Sequence, residues 1–275
     1  MTPAPPPRGA PAAGGSWDPA QYNRFAAQRE QPFWDLRALL EDAPAPRLAD
    51  LGCGDGRLTA ALHRRLGAAA TIGVDSSPAM LAEAAAHAGH GLAFVEGDIA
   101  SFDDTVAPGS LDVVFSNAAL QWVPDHRGVL GRWRQTLAPA GQLAVQMPSN
   151  ADHASHRLSR HLGEEWLGAA APADPVDAHV LAPEAYAQML HDLGFARQHV
   201  RLQVYGHLLS SPAEVVEWVK GTSLTRFQAA MGAEDFGRFV EEYRRRLVAE
   251  LGAQGPYFYA FKRILLWGRL PARDS

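Results

Sequence analysis

Cysteine is nearly absent from this chain, with Cys53 alone among 275 residues. A single cysteine excludes an internal disulfide and any zinc site built on several thiolates, and it fits a reducing, cytoplasmic compartment. Cys53 itself reads as a small packing residue rather than a nucleophile. Excess positive charge is also missing: 25 Lys and Arg stand against 30 Asp and Glu, for a net charge of −5. That balance argues against a general nucleic-acid binder, which needs a basic surface to release counterions. The first sixteen residues are rich in Pro, Ala and Gly, with one arginine and no continuous apolar run. They resemble neither a signal peptide nor a membrane span and are expected to be a disordered tail. No internal repeat is present, and no membrane partner is expected.

What the chain does have is a glycine turn, Leu48-Ala49-Asp50-Leu51-Gly52-Cys53-Gly54-Asp55-Gly56-Arg57. A short apolar strand runs into glycines at alternate positions and then into a helical pattern at Leu58, Leu62 and Leu66. Glycines there permit positive φ and let a ligand approach main-chain N–H groups. Taken alone, the pattern also fits a tight β–α turn without a ligand.

Upstream, 17–30 carries Trp17, Tyr22 and Phe25, and 31–43 has the apolar stripe of an amphipathic helix, ended by Pro44 and Pro46. Downstream, strands are expected at 70–75, 92–96, 111–116 and 142–147, alternating with helices at 57–66, 78–87 and 126–137. That alternation implies right-handed β–α–β units and a parallel, doubly wound α/β sheet. After 150 come helices at 152–167 and 183–193, a strand at 195–205, a helix after Ser211-Pro212-Ala213-Glu214, a strong amphipathic helix at 233–251 and a closing strand at 257–270. The two late strands bring the mainly parallel sheet to seven. The expected divisions are 1–16 tail, 17–46 N-terminal helical segment, 47–150 cofactor-binding core, and 151–275 closing strands plus a helical lid inserted before the last strand.

Strand carboxyl ends are where open α/β sheets bind ligands, and four ends line up here. They are the glycine turn, Asp75 about twenty residues after it, Gly97-Asp98-Ile99, and Ser116-Asn117. The Asp75 spacing is that of a carboxylate reaching a ribose diol. Together these ends point to a nucleoside ligand, and charge indicates which one. Asp50 and Asp55 flank the glycines, with Asp75 and Asp98 beyond, and such a cluster repels a pyrophosphate. It suits S-adenosylmethionine, which carries a sulfonium, an ammonium and one carboxylate. The Gly-x-Gly-x-Gly spacing also departs from the Gly-x-Gly-x-x-Gly of dinucleotide folds.

These motifs, with Leu137-x-Pro139-x-Gly141, resemble the series found in class I S-adenosylmethionine-dependent methyltransferases of Rossmann-like fold. Four stretches are similar more narrowly to the trans-aconitate 2-methyltransferase family. They are Trp17-Asp18-Pro19-x-x-Tyr22, the run from Asp75-Ser76-Ser77-Pro78 to Ala84, the run from Ser116-Asn117 through Trp122 to His126, and Ala144-Val145-Gln146-Met147-Pro148. The resemblance implies that Gly52, Gly54 and Gly56 pass under the methionine part and that Asp50 lies near its ammonium. It also implies that Asp75 takes the ribose hydroxyls with Ser76 beside it, and that Asp98 and Ile99 hold the adenine. Asn117 would offer its backbone carbonyl to the ammonium, and Arg29 would meet a carboxylate of cofactor or substrate.

Methylating a carboxylate needs no general base, because the oxygen is already ionised near pH 7. No catalytic residue is therefore expected beyond groups that orient the reactants and exclude water. A polycarboxylate substrate does need cations, and arginine offers bidentate geometry. Arg29, Arg226, Arg263, Lys220 and Lys262 are candidates; Arg263 interrupts an otherwise apolar closing strand, and Arg226 falls one position off the family arginine. Arg244-Arg245-Arg246 reads as a solvated helix face. Tyr22, Trp122, His126, His207 and Arg263 form the expected substrate set. His153, His156 and His161 lack a matching carboxylate pattern, so no metal is expected. The chain is read as a monomer acting on trans-aconitate or a similar small anionic acid. The alternatives are methylation of the malonyl group on an acyl carrier protein, and a non-catalytic nucleoside-cofactor-binding module.

Overall fold

Pro44 and Pro46 keep the chain out of helix, and the apolar residues that follow form β1 (Arg47–Leu51), buried from Leu48 onward. The computed structural model describes residues 26–273, so the expected tail and the 17–25 segment lie outside the described residues. Helix α1 (Ala26–Arg37) precedes β1, and α2 (Arg57–Leu66), β2 (Ala70–Asp75), α3 (Pro78–Ala84) and β3 (Leu92–Glu96) follow it. Next come β4 (Leu111–Asn117), α4 (His126–Thr136) and β5 (Leu137–Pro148). The rest of the chain forms α5 (Ala154–Leu167), α6 (Pro175–His179), α7 (Pro183–Asp192), β6 (Arg197–Leu209), α8 (Ala213–Lys220), α9 (Thr225–Ala230), α10 (Ala233–Leu251) and β7 (Tyr257–Arg269).

The seven strands lie in the order β3-β2-β1-β4-β5-β7-β6. Pairs from β3 to β5 are parallel, and β7 runs antiparallel to β5. The direction of winding reverses between β1 and β4, which opens a crevice at their carboxyl ends. The sheet is therefore the doubly wound, mainly parallel seven-stranded one expected. Ser116 Oγ donates to the Leu51 carbonyl at 2.7 Å and fastens β4 to β1 beside that crevice.

Two compact units divide the chain. The sheet unit comprises Ala27–Asn150, Pro175–His207 and the residues from Ala260 on. One sheet face packs Leu130, Trp133, Tyr186 and Leu190 against Leu51, Val114 and Val145. The other packs Phe33 and Leu36 of α1 against Phe115, Ala144, Tyr205 and Trp267. The Phe33 and Phe115 rings meet edge to face, 5.0 Å between centroids. Residues 175–207, which hold the late strand expected in the sheet, belong to the sheet unit together with α7, whose Tyr186, Met189 and Leu190 share its core.

The helical unit holds Ala151–Asp174 and Leu208–Tyr259. Its core sets the Phe227 and Phe239 rings 4.6 Å apart and tilted by 37°, and Gly163 lets the Phe227 ring approach so closely that a Cβ there would sit 2.4 Å from it. Helix α10 is the expected amphipathic one, burying Phe239, Val240, Tyr243 and Leu247.

Several element boundaries differ from expectation: α1 ends at Arg37 and not at 43, α3 at Ala84 and not at 87, and β6 runs Arg197–Leu209 and not 195–205. Helix α1 begins at Ala26 and runs through Pro32 instead of starting at 31. An internal proline costs roughly 3 kcal/mol; burying Phe33 and Leu36 to 2% and 0% exposure offsets it at about 1.5–3 kcal/mol per side chain. Strand β5 begins at Leu137, because the Pro139–Gly141 turn is held as a bulge between the Leu111 and Val113 pairings, with Ala140 at φ 61°.

Candidate functional site

The glycine turn leaves β1 at the crevice with three glycines in the left-handed region: Gly52 at φ 83°, Gly54 at 58° and Gly56 at 73°. Their surroundings differ. A Cβ on Gly52 would lie 2.2 Å from the Ala119 Cβ, and one on Gly56 would lie 2.6 Å from the Phe94 ring. Among the described residues, a Cβ on Gly54 would have nothing within 4 Å, so of the three glycines it alone has open space beside it there. Gly52 and Gly56 are thus required by packing, whereas the space beside Gly54 leaves room for a group to approach its backbone. The α1 amino end is brought to the turn by an ion pair between Arg57 and Glu30 at 2.7 Å. The Arg29 backbone lies in that same end of α1.

Asp75, at the end of β2, braces the turn. Its Oδ2 accepts from Gly54 N–H at 2.9 Å and its Oδ1 from Ser77 N–H at 3.0 Å. Ser77 in turn caps α3, while Ser76 is exposed. Asp50 is 3% exposed, and its Oδ2 accepts from Thr59 Oγ1 at 2.6 Å. Burial pushes its carboxyl up to about 7, the Thr59 hydrogen bond pulls it down in part, and the Asp75 charge pushes it up further. A buried acid held this way is a ready receptor for a cation. The Cys53 thiol is also pushed up, by burial and then by Asp50 and Asp75, which fits packing and not nucleophilic chemistry.

The raised Asp50 value carries a pH signature. Stability from the protonated acid is fully present below pH ~4 and is lost as pH rises through about 7. Asp50→Asn is expected to melt several degrees above the parent at pH 8 and to converge with it near pH 4, at roughly 2–4 °C per kcal/mol. Parallel melting curves across that range, in the absence of ligand, would show that Asp50 does not titrate there.

At β3, Asp98 is exposed and its Oδ1 caps the 3-10 turn Ile99–Thr105 by accepting from Ala100 N–H at 2.8 Å. Ile99 is buried, and its carbonyl accepts from Trp133 Nε1 at 2.7 Å. Asn117 ends β4, and its side-chain Oδ1 is buried with no hydrogen-bond partner among the described residues. Ala118 follows at φ 55°, a left-handed conformation costing about 1–2 kcal/mol for a residue with a Cβ. Its N–H bonds the Gln146 carbonyl at 2.8 Å, which holds the loop open after the strand.

Register places the polar side chains of one face in rows. Asp50 pairs with Phe115, Phe115 with Ala144 and Ala144 with Trp267. One step toward the carboxyl edge, Asn117 pairs with Gln146 and Gln146 with Leu265; the next step pairs Pro148 with Arg263. Paired residues in adjacent strands share a face, so Asp50, Asn117, Gln146 and Arg263 line the face that α1 covers. Arg263 is 8% exposed; its Nη1 donates to Gln146 Oε1 at 3.2 Å, and its guanidinium lies 4.8 Å from the Phe261 ring centre. Its Coulombic influence extends to Tyr205, whose hydroxyl donates to Asp35 of α1 at 2.8 Å. His207 lies two residues further along β6 and is buried.

The remaining sequence candidates fall elsewhere. Tyr22 lies outside the described residues. Trp122 is 52% exposed in the 3-10 turn Leu120–Trp122, after Asn117. His126 is turned into the core: its Nδ1 meets Tyr186 Oη at 2.7 Å and its Nε2 meets the Leu120 carbonyl at 2.9 Å. Burial lowers its pKa, and with both ring nitrogens engaged no edge is left for a substrate carboxylate. Lys220 is exposed and Lys262 half-buried. Arg244, Arg245 and Arg246 pair with Glu217, Glu242 and Glu165 on the helix surface, as a solvated face should.

Within the helical unit, Arg226 is buried between Ser159 Oγ at 2.9 Å, Asp174 Oδ2 at 3.5 Å and the Phe227 ring. Asp174 also holds His156 Nδ1 at 2.8 Å. Arg226 is thereby held inside the helical unit, while its Nε and His156 Nε2 are buried without a hydrogen-bond partner among the described residues. His153 bonds Ser155 and Tyr257.

Sequence reading passed over the amides. Gln146, Gln121 and Asn150 are buried, and each has one amide atom without a partner among the described residues. The signal was present: Gln146 is a polar residue inside the apolar run Leu143-Ala144-Val145-Gln146-Met147.

A family model described as a methyltransferase domain matches residues 48–141. A trans-aconitate 2-methyltransferase of Deinococcus radiodurans is 40% identical over 93% of this chain and 99% of its own length. One of Streptomyces avermitilis is 44% identical over 86% of this chain and 90% of its own. Among solved structures, the YcgJ protein of Bacillus subtilis has a TM-score of 0.60 at 16% identity, covering 88% of this chain and 98% of that one. Phosphoethanolamine N-methyltransferase 2 of Haemonchus contortus, solved with S-adenosyl-L-methionine, has a TM-score of 0.58 at 17% identity, covering 92% of this chain and 56% of that one. At those identities the structural likeness establishes the fold.

Proposed function

This chain belongs to the trans-aconitate 2-methyltransferase family, and from that membership we propose that it esterifies one carboxylate of trans-aconitate, or of a similar small polycarboxylate, using S-adenosyl-L-methionine. The observation that carries this reading is identity at the 40% level over the whole length of a relative, sheet and helical units alike. The site geometry agrees with it. Open space beside Gly54, the half-buried Asp75 carboxylate and the orphaned Asn117 oxygen fit a nucleoside ligand. The buried acid Asp50 fits its cationic amino-acid end.

S-adenosyl-L-methionine supplies an electrophilic methyl group on sulfonium to a carboxylate oxygen. In the proposed assignment Gly52, Gly54 and Gly56 carry the methionine part, Asp50 and the Asn117 carbonyl face its ammonium, Asp75 and Ser76 the ribose, and Asp98 and Ile99 the adenine. Arg29 answers a carboxylate, and Arg263 with Trp122, His207 and Tyr22 receives the acid. His126 is left out, since its ring is engaged in the core. No residue has to take a proton, because the acid is ionised at pH 7. The protein's contribution is orientation in a site closed to water, where effective molarity lowers the barrier by several kcal/mol.

Among the described residues no helix is long and apolar enough to cross a membrane. A cytoplasmic monomer without nucleic-acid partners remains the proposed setting, from the lone cysteine and the net charge of −5.

The test is incubation with labelled S-adenosylmethionine and, in parallel, trans-aconitate, cis-aconitate, isocitrate or a malonyl carrier protein, followed by extraction of methyl ester. Trans-aconitate is expected to give the highest kcat/KM. Turnover of another acid with none of trans-aconitate would move the substrate and keep the reaction class.

A further inference from the structure

Helix α4 carries polar donors inside its buried stripe. His126 and Trp133 stand two turns apart on one helix face, and they are 3% and 0% exposed. Each spends a ring N–H on a main-chain carbonyl of a loop at the crevice. A carbonyl only accepts, so the 2.9 Å contact to the Leu120 oxygen fixes the proton on His126 Nε2. Nδ1 is then the acceptor, and Tyr186 Oη donates to it at 2.7 Å while accepting from Leu181 N–H at 3.1 Å. Further along α4, Trp133 Nε1 donates to the Ile99 carbonyl at 2.7 Å, and Arg132 Nε donates to the Ala100 carbonyl at 2.9 Å. Arg132 also lies 3.6 Å from Asp103 of the same 3-10 turn.

We propose that α4 positions both ligand-holding turns of the crevice, with His126 setting the turn that carries Trp122 and Trp133 setting the turn that carries Ile99. The Leu120 carbonyl also accepts from Val123 N–H at 3.0 Å, so His126 grips the 3-10 turn Leu120–Trp122 at its closing bond. The start of that loop is held separately. Asn117 pairs with Gln146 on β5, and the Ala118 N–H bonds the Gln146 carbonyl. His126 therefore governs the Trp122 end of the loop, on the acid side, and Trp133 governs the adenine side. A displacement of about 1 Å in a binding group can cost on the order of 100-fold in rate, so holding each turn from behind bears directly on turnover. The inference rests on the proposed acid methylation and deepens it by naming what fixes the two ends of the site.

The experiment measures S-adenosylhomocysteine affinity by titration calorimetry, and KM for trans-aconitate at saturating S-adenosylmethionine, in variants of the full chain. His126→Leu removes the donor to Leu120 and is expected to raise KM about tenfold, with cofactor affinity within about twofold of the parent. His126→Gln carries an amide N–H to the same place and should recover most of that loss, which a residue that only fills the core would not show. Trp133→Phe keeps an aromatic ring and removes the donor to Ile99. It should weaken S-adenosylhomocysteine about tenfold and leave KM within about twofold. Should His126→Leu or Trp133→Phe fail to fold, Tyr186→Phe and Arg132→Met read the same two arms, each with a loss of about threefold. In either arm, both constants unchanged or both worsened alike would overturn the inference, as would a His126→Gln variant no better than His126→Leu. If the parent methylates a different acid, KM is read with that acid. A parent that binds S-adenosylhomocysteine and methylates no acid overturns the functional reading alone, and the Trp133 arm then decides the inference by titration.

Discussion

Gly52→Ala is expected to lose about 2–5 kcal/mol of stability. The φ of 83° contributes about 1–2 kcal/mol of backbone strain for any residue with a Cβ. The overlap contributes the rest: the new methyl would lie 2.2 Å from the Ala119 Cβ, and forced overpacking costs roughly 1–3 kcal/mol. Ala119 belongs to the loop that follows Asn117 and cannot retreat easily, since the Ala118 N–H is tied to β5. The melting temperature should fall by roughly 5–15 °C at 2–4 °C per kcal/mol, with weakened cofactor binding, because the turn and the β4 loop shift together. Gly54→Ala is the matched control. It has positive φ but open space around it, so it should lose about 1 kcal/mol of stability and still bind cofactor poorly. Scanning calorimetry with and without S-adenosylhomocysteine separates the two, and a Gly52→Ala melt within about a degree of the parent would refute the packing account.

Asp75→Ala is expected to weaken cofactor affinity by about 100-fold, or roughly 2.7 kcal/mol. The carboxylate already accepts from Gly54 and Ser77 N–H groups, and hydrogen bonds to a charged group are worth about 1.5–3 kcal/mol each. Alanine removes two bonds that shape the turn together with those proposed to the ribose diol. Asp75→Asn keeps an oxygen for one N–H and loses the charge, so its loss should be smaller, on the order of tenfold. Unchanged affinity in Asp75→Ala by titration calorimetry would show that the carboxylate is a turn brace and nothing more.

Both predictions concern residues that the linear pattern of the chain already marks. The alternation of strands with helices gave the parallel sheet because each apolar run must be buried on two faces, and the glycines and Asp75 stood at strand ends because that is where such sheets turn. The acids around the glycine turn were equally plain, and their burial sharpened the reading: Asp50 is nearly inaccessible and pushed up to about 7. Helix α10, with its unbroken apolar stripe, was legible to the residue.

Where sequence reading went astray, a long-range contact outweighed a local rule. The apolar stripe suggested a helix over 31–43, but burial of Phe33 and Leu36 on the sheet accompanies a helix that runs Ala26–Arg37, through Pro32. His126 suggested a ligand contact from its place after β4, yet Tyr186, sixty residues away, claims one ring nitrogen. Arg226 suggested a substrate cation, and Asp174 and Ser159 hold it within the helical unit.

The sequence by itself determined the sheet, the glycine turn and the charge that selects the cofactor, because these follow from local periodicity and from residues close together in the chain. Only the tertiary structure decided which polar side chains face the site. Register brings Asn117, Gln146 and Arg263 onto one face, and the direction of the Gln146 amide depends on an arginine 117 residues away. No local pattern encodes that pairing, because it exists only once β5 and β7 lie side by side.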